Sequence, residues 1–90
     1  MRILIVDDQS FNLDALEAIL TYKCMIDCKR IVDRALSGKE AIEKVKQNLI
    51  LNKFNACDYF LILMDCNMPF IDGYQSTDII RSMIHEHKLP

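Results

Sequence analysis

The sequence has few of the residues that mark fibrous, secreted or membrane-spanning proteins. Its 90 residues include no tryptophan and only two glycines and two prolines, which argues against a collagen-like or low-complexity chain. The longest strongly apolar runs, residues 3–6 and 59–64, are too short to cross a bilayer. The four apolar residues after Arg2 are also too few for a signal peptide. These absences favour a soluble intracellular domain.

The charge balance gives no indication of a polyanionic partner. Eleven basic and thirteen acidic side chains leave a net charge of -2, so we expect no direct binding to nucleic acid or to an anionic membrane. The hydrophobic fraction of 51% is too high for a disordered chain.

Four cysteines occur without the spacing of a zinc knuckle or the context of a secreted disulfide framework. Three residues separate Cys24 from Cys28, whereas a zinc knuckle has two, and no second close pair follows. We therefore expect reduced thiols.

Hydrophobic periodicity predicts three strands and three helices in alternation. Largely apolar runs predict strands at residues 2–6 and 59–64, and Ile31 with Val32 predicts a short strand at 30–35. Connections are expected at 23–29 and 51–58. The first helix is predicted to begin with Ser10 as its cap, and the second to run from a capping box of Ser37 and Glu40 to about residue 50. Asp72 is predicted to cap the third helix. The expected apolar faces are Leu13, Leu16, Ile19 and Leu20 on the first helix and Ile79, Ile80, Met83 and Ile84 on the third.

The order βαβαβα indicates the fold class. Parallel strands joined by helical crossovers predict an α/β protein with a doubly wound parallel sheet. Ligands of such sheets bind beyond the carboxyl ends of the strands, where strand order reverses.

Two of the three predicted strands end in carboxylates. Asp7 and Asp8 follow the first strand and Asp65 follows the third. Each alone fits a structural role, such as complementing a helix dipole or capping a loop. Together, on one rim, they would repel each other, and a hard cation such as Mg²⁺ relieves that repulsion. The joint placement favours an Mg²⁺ site that serves a phosphoryl group.

Three segments resemble the receiver domain of two-component response regulators, in the form fused to hybrid histidine kinases. They are Ile5-Val6-Asp7-Asp8 with Asn12, Ala35 to Ala41, and Met64-Asp65-Cys66-Asn67-Met68-Pro69-Phe70-Ile71-Asp72-Gly73. The resemblance implies a flavodoxin-like sheet of strand order 2-1-3-4-5, in which the first and third strands are neighbours.

The resemblance also implies a role for each acidic residue. Asp65 would accept a phosphoryl group, Asp8 would bind Mg²⁺ directly, and Asp7 would support it indirectly. Asn67 would give its backbone carbonyl to the metal. The donor would be a histidine kinase or a histidine phosphotransfer domain, in a cytoplasmic phosphorelay that can belong to a membrane-bound hybrid kinase. Such a domain is a signalling module, not an enzyme, with at most slow self-dephosphorylation.

The sequence departs from the family in length. A full receiver has five βα units, so we expect residues 1–90 to be a receiver truncated after the third helix, a piece of a longer protein. It then lacks the family's switch Ser/Thr and phosphate-contacting Lys, and the third strand becomes an exposed edge suited to self-association.

Two alternatives stay open. The first is a receiver-like interaction module that no longer switches. The second is an Mg²⁺-dependent phosphohydrolase with an aspartyl nucleophile, which is disfavoured because the usual general acid, two residues after the nucleophile, is here Asn67.

Overall fold

Strands and helices alternate along the residues that the structure, a computed structural model, describes, which are 1–65 and 73–86. The elements in chain order are β1 (Arg2–Val6), α1 (Ser10–Tyr22), α2 (Cys28–Ile31), β2 (Val32–Ala35), α3 (Gly38–Leu51), β3 (Tyr59–Met64) and α4 (Gly73–Glu86). None of the described helices is long and apolar enough to traverse a bilayer.

The sheet is parallel, with strand order β2-β1-β3. The predicted α/β fold is therefore confirmed, and so is the adjacency of the first and third strands. Leu4 on β1 lies between Asp33 of β2 and Ile62 of β3. Because β1 has a strand on each side, residues Ile3 to Val6 are all buried.

Side chains of β1 alternate between two apolar cores. Leu4 and Val6 pack with α3 residues such as Val45 and with Ile80 of α4. Ile3 and Ile5 pack with Leu13 and Leu20 of α1 on the opposite face. This alternation follows from the two-residue period of a strand, and it places helices on both faces of the sheet.

The predicted second strand begins two residues too early. A short helical turn, α2, occupies Cys28–Ile31, because the backbone N–H groups of Arg30 and Ile31 both donate to the carbonyl of Asp27. β2 therefore starts at Val32, and the predicted connection 23–29 includes the start of α2.

The predicted cap of α1 is also wrong. The cap residue is Gln9, whose carbonyl accepts from the backbone of Leu13, and Ser10 is already helical. The chain turns early because Oδ1 of Asp7 accepts the N–H of Gln9 at 2.9 Å. Ile19, assigned to the apolar face, is 53% exposed.

The capping box of α3 is confirmed. Oγ of Ser37 accepts the N–H of Glu40 at 3.0 Å, and Oε2 of Glu40 accepts the N–H of Leu36 at 3.3 Å.

On α4, Ile80 is buried whereas Ile79 is 41% exposed, so the predicted apolar face is one residue too wide. Asp72, the predicted cap of α4, lies outside the described residues.

The described cysteines agree with the prediction of reduced thiols. Cys24, Cys28 and Cys57 are free, and burial raises the pKa of the Cys57 thiol above its usual range. Cys66 lies outside the described residues.

One polar cluster ties the three strands together near their amino ends. The guanidinium of Arg2 donates to both oxygens of Asp33, at 2.7 and 2.9 Å, and the Tyr59 hydroxyl donates to Oδ2 of Asp33 at 2.6 Å. The hydrogen bond from Arg2 holds the pKa of Asp33 below its usual range. The pKa of Tyr59 is raised above its usual range, mainly by burial and secondly by the hydrogen bond to Asp33.

We expect Asp33→Asn to destabilise the fold by about 1–2 kcal/mol, since a charge-assisted bidentate pair is lost at a half-buried position. Asp33 has a lowered pKa in the folded state, so its contribution is fully present above the unfolded value of about 4. That contribution disappears as the pH falls through the folded value. Urea unfolding at neutral and acidic pH measures both effects. Asp27→Asn, at an exposed aspartate without a side-chain cap bond, is the control; equal losses in the two variants would contradict the assignment.

Candidate functional site

Three carboxylates lie together at the carboxyl edge of the sheet. Asp7 and Asp8 directly follow β1, and Asp65 directly follows β3. Val6 pairs with Met64, and the N–H of Asp65 donates to the carbonyl of Val6 at 3.0 Å, so the two strand ends are level. One carboxylate oxygen from each aspartate lies within 4.8 Å of the others. All three side chains are partly buried.

The backbone and an amide side chain hold Asp7 in a defined orientation. Its N–H donates to the carbonyl of Ala35, which extends the ladder between β1 and β2 by one residue. Its Oδ1 accepts two hydrogen bonds, from the N–H of Gln9 at 2.9 Å and from Nδ2 of Asn12 at 3.3 Å. The carboxylate therefore cannot rotate without losing both donors.

A small cleft of about 230 Å³ opens beside these carboxylates. Its polar lining is Asp7, Asn12 and Asp65. Its apolar lining comes from β1, α1 and β3, namely Val6, Leu13, Leu16, Leu63 and Met64. A space of this size suits an ion with its waters and one small group better than a drug-sized ligand.

The donor set fits Mg²⁺. No lysine or arginine is among the described residues that line the cleft, and its charged lining residues are aspartates. Hard oxygen ligands in small number, completed by water, are what Mg²⁺ takes from proteins. Asp7, Asp8 and Asp65 would hold it.

One predicted site residue falls in a part of the chain that the structure does not describe, and the described lysine nearest to a cleft is not at this site. Asn67, whose carbonyl the resemblance assigns to the metal, lies outside the described residues. Lys44 lines a different cleft, beside Arg2 and Asp33, at the amino end of the strands.

An ion-paired arginine fixes the helix that carries Asn12. The guanidinium of Arg34 on β2 donates to Glu17 and to Asp14 on α1, at 2.7 Å in each case. These bonds raise the pKa of Arg34, and the bond to Glu17 has the largest effect. The pairing was not predicted from the sequence; the only signal is that Asp14 and Glu17 are three residues apart and therefore share one side of the helix.

Comparison with known proteins gives consistent matches. A family model described as response regulator receiver domain matches residues 3–89. The sequence is 37% identical over 82 residues to hybrid signal transduction histidine kinase B of Dictyostelium discoideum, covering 91% of this chain and 4% of that protein. It is 31% identical over 90 residues to signal transduction histidine-protein kinase BarA of Escherichia coli, covering 100% of this chain and 8% of that protein.

A solved structure is similar over nearly the whole chain. The receiver domain of the histidine kinase CKI1 from Arabidopsis thaliana, complexed with Mg²⁺ and BeF₃⁻, superposes with a TM-score of 0.86 at 29% identity. The superposition covers 99% of this chain and 60% of that chain. The chain thus spans a small part of the two kinases and less than two thirds of the solved receiver.

Proposed function

Because the chain belongs to the response regulator receiver domain family, which serves two-component signalling, we propose that it is a phosphoacceptor that takes a phosphoryl group onto Asp65. The observation that carries the proposal is the approach of Asp7, Asp8 and Asp65 to within 4.8 Å at the carboxyl edge of the sheet. A similar receiver was solved with Mg²⁺ and BeF₃⁻, a fluoride complex that resembles a phosphoryl group in shape and charge.

The proposed step transfers a phosphoryl group from a histidine nitrogen to a carboxylate oxygen. A carboxylate oxygen of Asp65 attacks the phosphorus of a phosphohistidine, an O–P bond forms, and the P–N bond breaks. The electron pair of that bond leaves with the imidazole, which takes up a proton. Bound Mg²⁺ would offset the charge on the phosphoryl oxygens and on the carboxylates.

The remaining residues of the site would orient and shield the nucleophile. The backbone bond from Asp65 to Val6 fixes where the carboxylate emerges from β3. Leu13, Leu16 and Leu63 line the cleft and limit the water beside it. We propose that turnover is confined to slow hydrolysis of the phosphorylated chain itself, so that the protein acts as a signalling module.

The partner that this chemistry requires is a protein that carries a phosphohistidine. We propose a histidine kinase or a histidine phosphotransfer domain as the donor. The relatives include two histidine kinases, in which this chain matches a small segment, so the activity of those whole proteins is not carried over to this one.

Intact mass spectrometry tests the proposal. The protein is incubated with phosphoramidate, which contains the P–N bond of the natural donor class, with Mg²⁺ or with a chelator. We expect one phosphoryl adduct with Mg²⁺ and almost none with the chelator. The absence of an adduct on a chain shown to be folded by circular dichroism would contradict the proposal and favour the interaction module that does not switch.

We also propose that the chain associates with itself through β3. In the part of the chain that the structure describes, β3 pairs with β1 alone, and Phe60 and Leu61 are 55% and 39% exposed. An apolar edge strand is a template for pairing with a second copy.

Sedimentation velocity over a range of concentrations measures this association. We expect species heavier than the monomer at high concentration, and Phe60→Lys should shift the distribution to monomer. Phe11→Lys is the matched control, because Phe11 is a phenylalanine that is 77% exposed on α1 and does not belong to the edge strand. A single monomer boundary at every concentration would rule the association out.

A further inference from the structure

We propose that Asn12 is a positioning residue that makes the carboxylate site prefer Mg²⁺ to larger divalent cations. The inference rests on the proposed function, since it concerns the cation of that site. Asn12 donates through Nδ2 to Oδ1 of Asp7 at 3.3 Å and lines the same cleft as Asp65.

Asn12 and the turn after β1 act on a single oxygen. The N–H of Gln9 supplies the second bond to Oδ1 of Asp7. Two donors to the same oxygen restrict rotation of the carboxylate, and so the directions in which its oxygens point. With the Asn12 amide removed, the Gln9 bond alone would leave the carboxylate free to swing.

The helix that carries Asn12 is itself held firmly. The next residue, Leu13, is buried in the core between α1 and the sheet. Asp14 and Glu17, two and five residues after Asn12 on the same helix, are paired with Arg34 of β2. The amide therefore projects from an element whose position is set independently of any ligand, which is the condition for a preorganised site.

A fixed carboxylate discriminates between cations by geometry. Mg²⁺ requires near-octahedral ligands at about 2.0–2.1 Å, whereas Ca²⁺ accepts irregular sets at about 2.3–2.6 Å. Loss of the orientation should therefore weaken Mg²⁺ binding more than Ca²⁺ binding. Groups that orient metal ligands are typically worth about 10- to 100-fold in metal affinity; the Asn12 bond is long and exposed, so about three- to tenfold is expected.

Titration calorimetry with Mg²⁺ and with Ca²⁺ tests the inference on the wild type and three variants. Asn12→Ala removes the amide, and alanine preserves the helix. Asn12→Gln retains an amide donor on a longer side chain. Asn55→Ala is the matched control, because Asn55 is an exposed asparagine in the loop after α3.

For Asn12→Ala we expect the Kd for Mg²⁺ to rise about three- to tenfold, with a smaller change for Ca²⁺. The melting temperature without metal should stay the same, Asn12→Gln should recover part of the selectivity, and Asn55→Ala should match the wild type. Equal losses for both cations, or a loss that follows a lower melting temperature, would mean a structural role only. Unchanged Mg²⁺ binding in Asn12→Ala would also overturn the inference, whereas a wild type that binds no Mg²⁺ would overturn the proposed function itself.

Discussion

The Asp65→Asn variant is expected to gain no phosphoryl adduct from phosphoramidate and Mg²⁺, under conditions in which the wild type gains one. An amide in place of the carboxylate lacks the anionic oxygen that attacks phosphorus, so the acyl phosphate cannot form. We expect the variant to keep the bond that aligns this residue with Val6, because that bond comes from the backbone N–H. Intact mass and circular dichroism, measured on one sample, separate loss of chemistry from loss of folding.

The matched control is Asp78→Asn on α4. Asp78 is an exposed aspartate within the helix and is not among the residues that line the acidic cleft. We expect it to be phosphorylated as the wild type is. An adduct that persists in Asp65→Asn would locate the acceptor elsewhere, for example on His85, and would refute the assignment of Asp65.

The parts of the fold that could be predicted are those determined by continuous apolar patterns. Residues 3–6 and 59–64 are uninterrupted apolar runs, and the strands Arg2–Val6 and Tyr59–Met64 have the predicted bounds. The capping box at Ser37 was also predictable, since it depends only on residues three apart. These signals are local, so they do not require knowledge of the tertiary structure.

The errors occurred where a short-range hydrogen bond moves the boundary of a helix or strand. Ser10 was a plausible cap, but the carboxylate of Asp7 pulls the turn one residue earlier through Gln9. Arg30 and Ile31 resembled strand residues, yet the carbonyl of Asp27 captures both of their N–H groups. An aspartate often accepts the N–H two residues further on, but the sequence does not show whether this turn or Ser10 sets the start of the helix.

The same distinction holds for the candidate site. The approach of Asp7 and Asp8 to Asp65 could be anticipated from strand order alone, because parallel strands end at the same edge. The bond from Asn12 to Asp7 crosses a tight turn, so it depends on the path of the backbone. The contacts of Asp33 with Tyr59 and Arg2 join residues that are 26 and 31 positions apart in the sequence. Periodicity says nothing about such pairs.

The Asp8→Asn variant is expected to be more stable than the wild type without metal and to lose stabilisation by Mg²⁺. Asp8 lies within 4.8 Å of two other carboxylates, and each like-charge pair at that separation costs about 1 kcal/mol where water screens it. Removing one charge relieves two such pairs, which corresponds to a rise in melting temperature of about 8–16 °C for a domain of this size.

The Asp8→Asn change should raise stability without metal and lower it with Mg²⁺. This reversal distinguishes a metal-binding carboxylate from one that only supports the fold. A cation that binds only the folded wild type stabilises it by about 2.7 kcal/mol at a concentration 100 times its Kd, so the wild type should overtake the variant as Mg²⁺ is added. Thermal melts across an Mg²⁺ titration measure the crossing point, with Asp27→Asn as a control that removes an isolated charge. A variant less stable than the wild type without metal would show that Asp8 supports the fold, and parallel Mg²⁺ responses would remove it from the metal site. A crossing would mean that the charge of Asp8 costs stability without metal and is repaid when the cation binds.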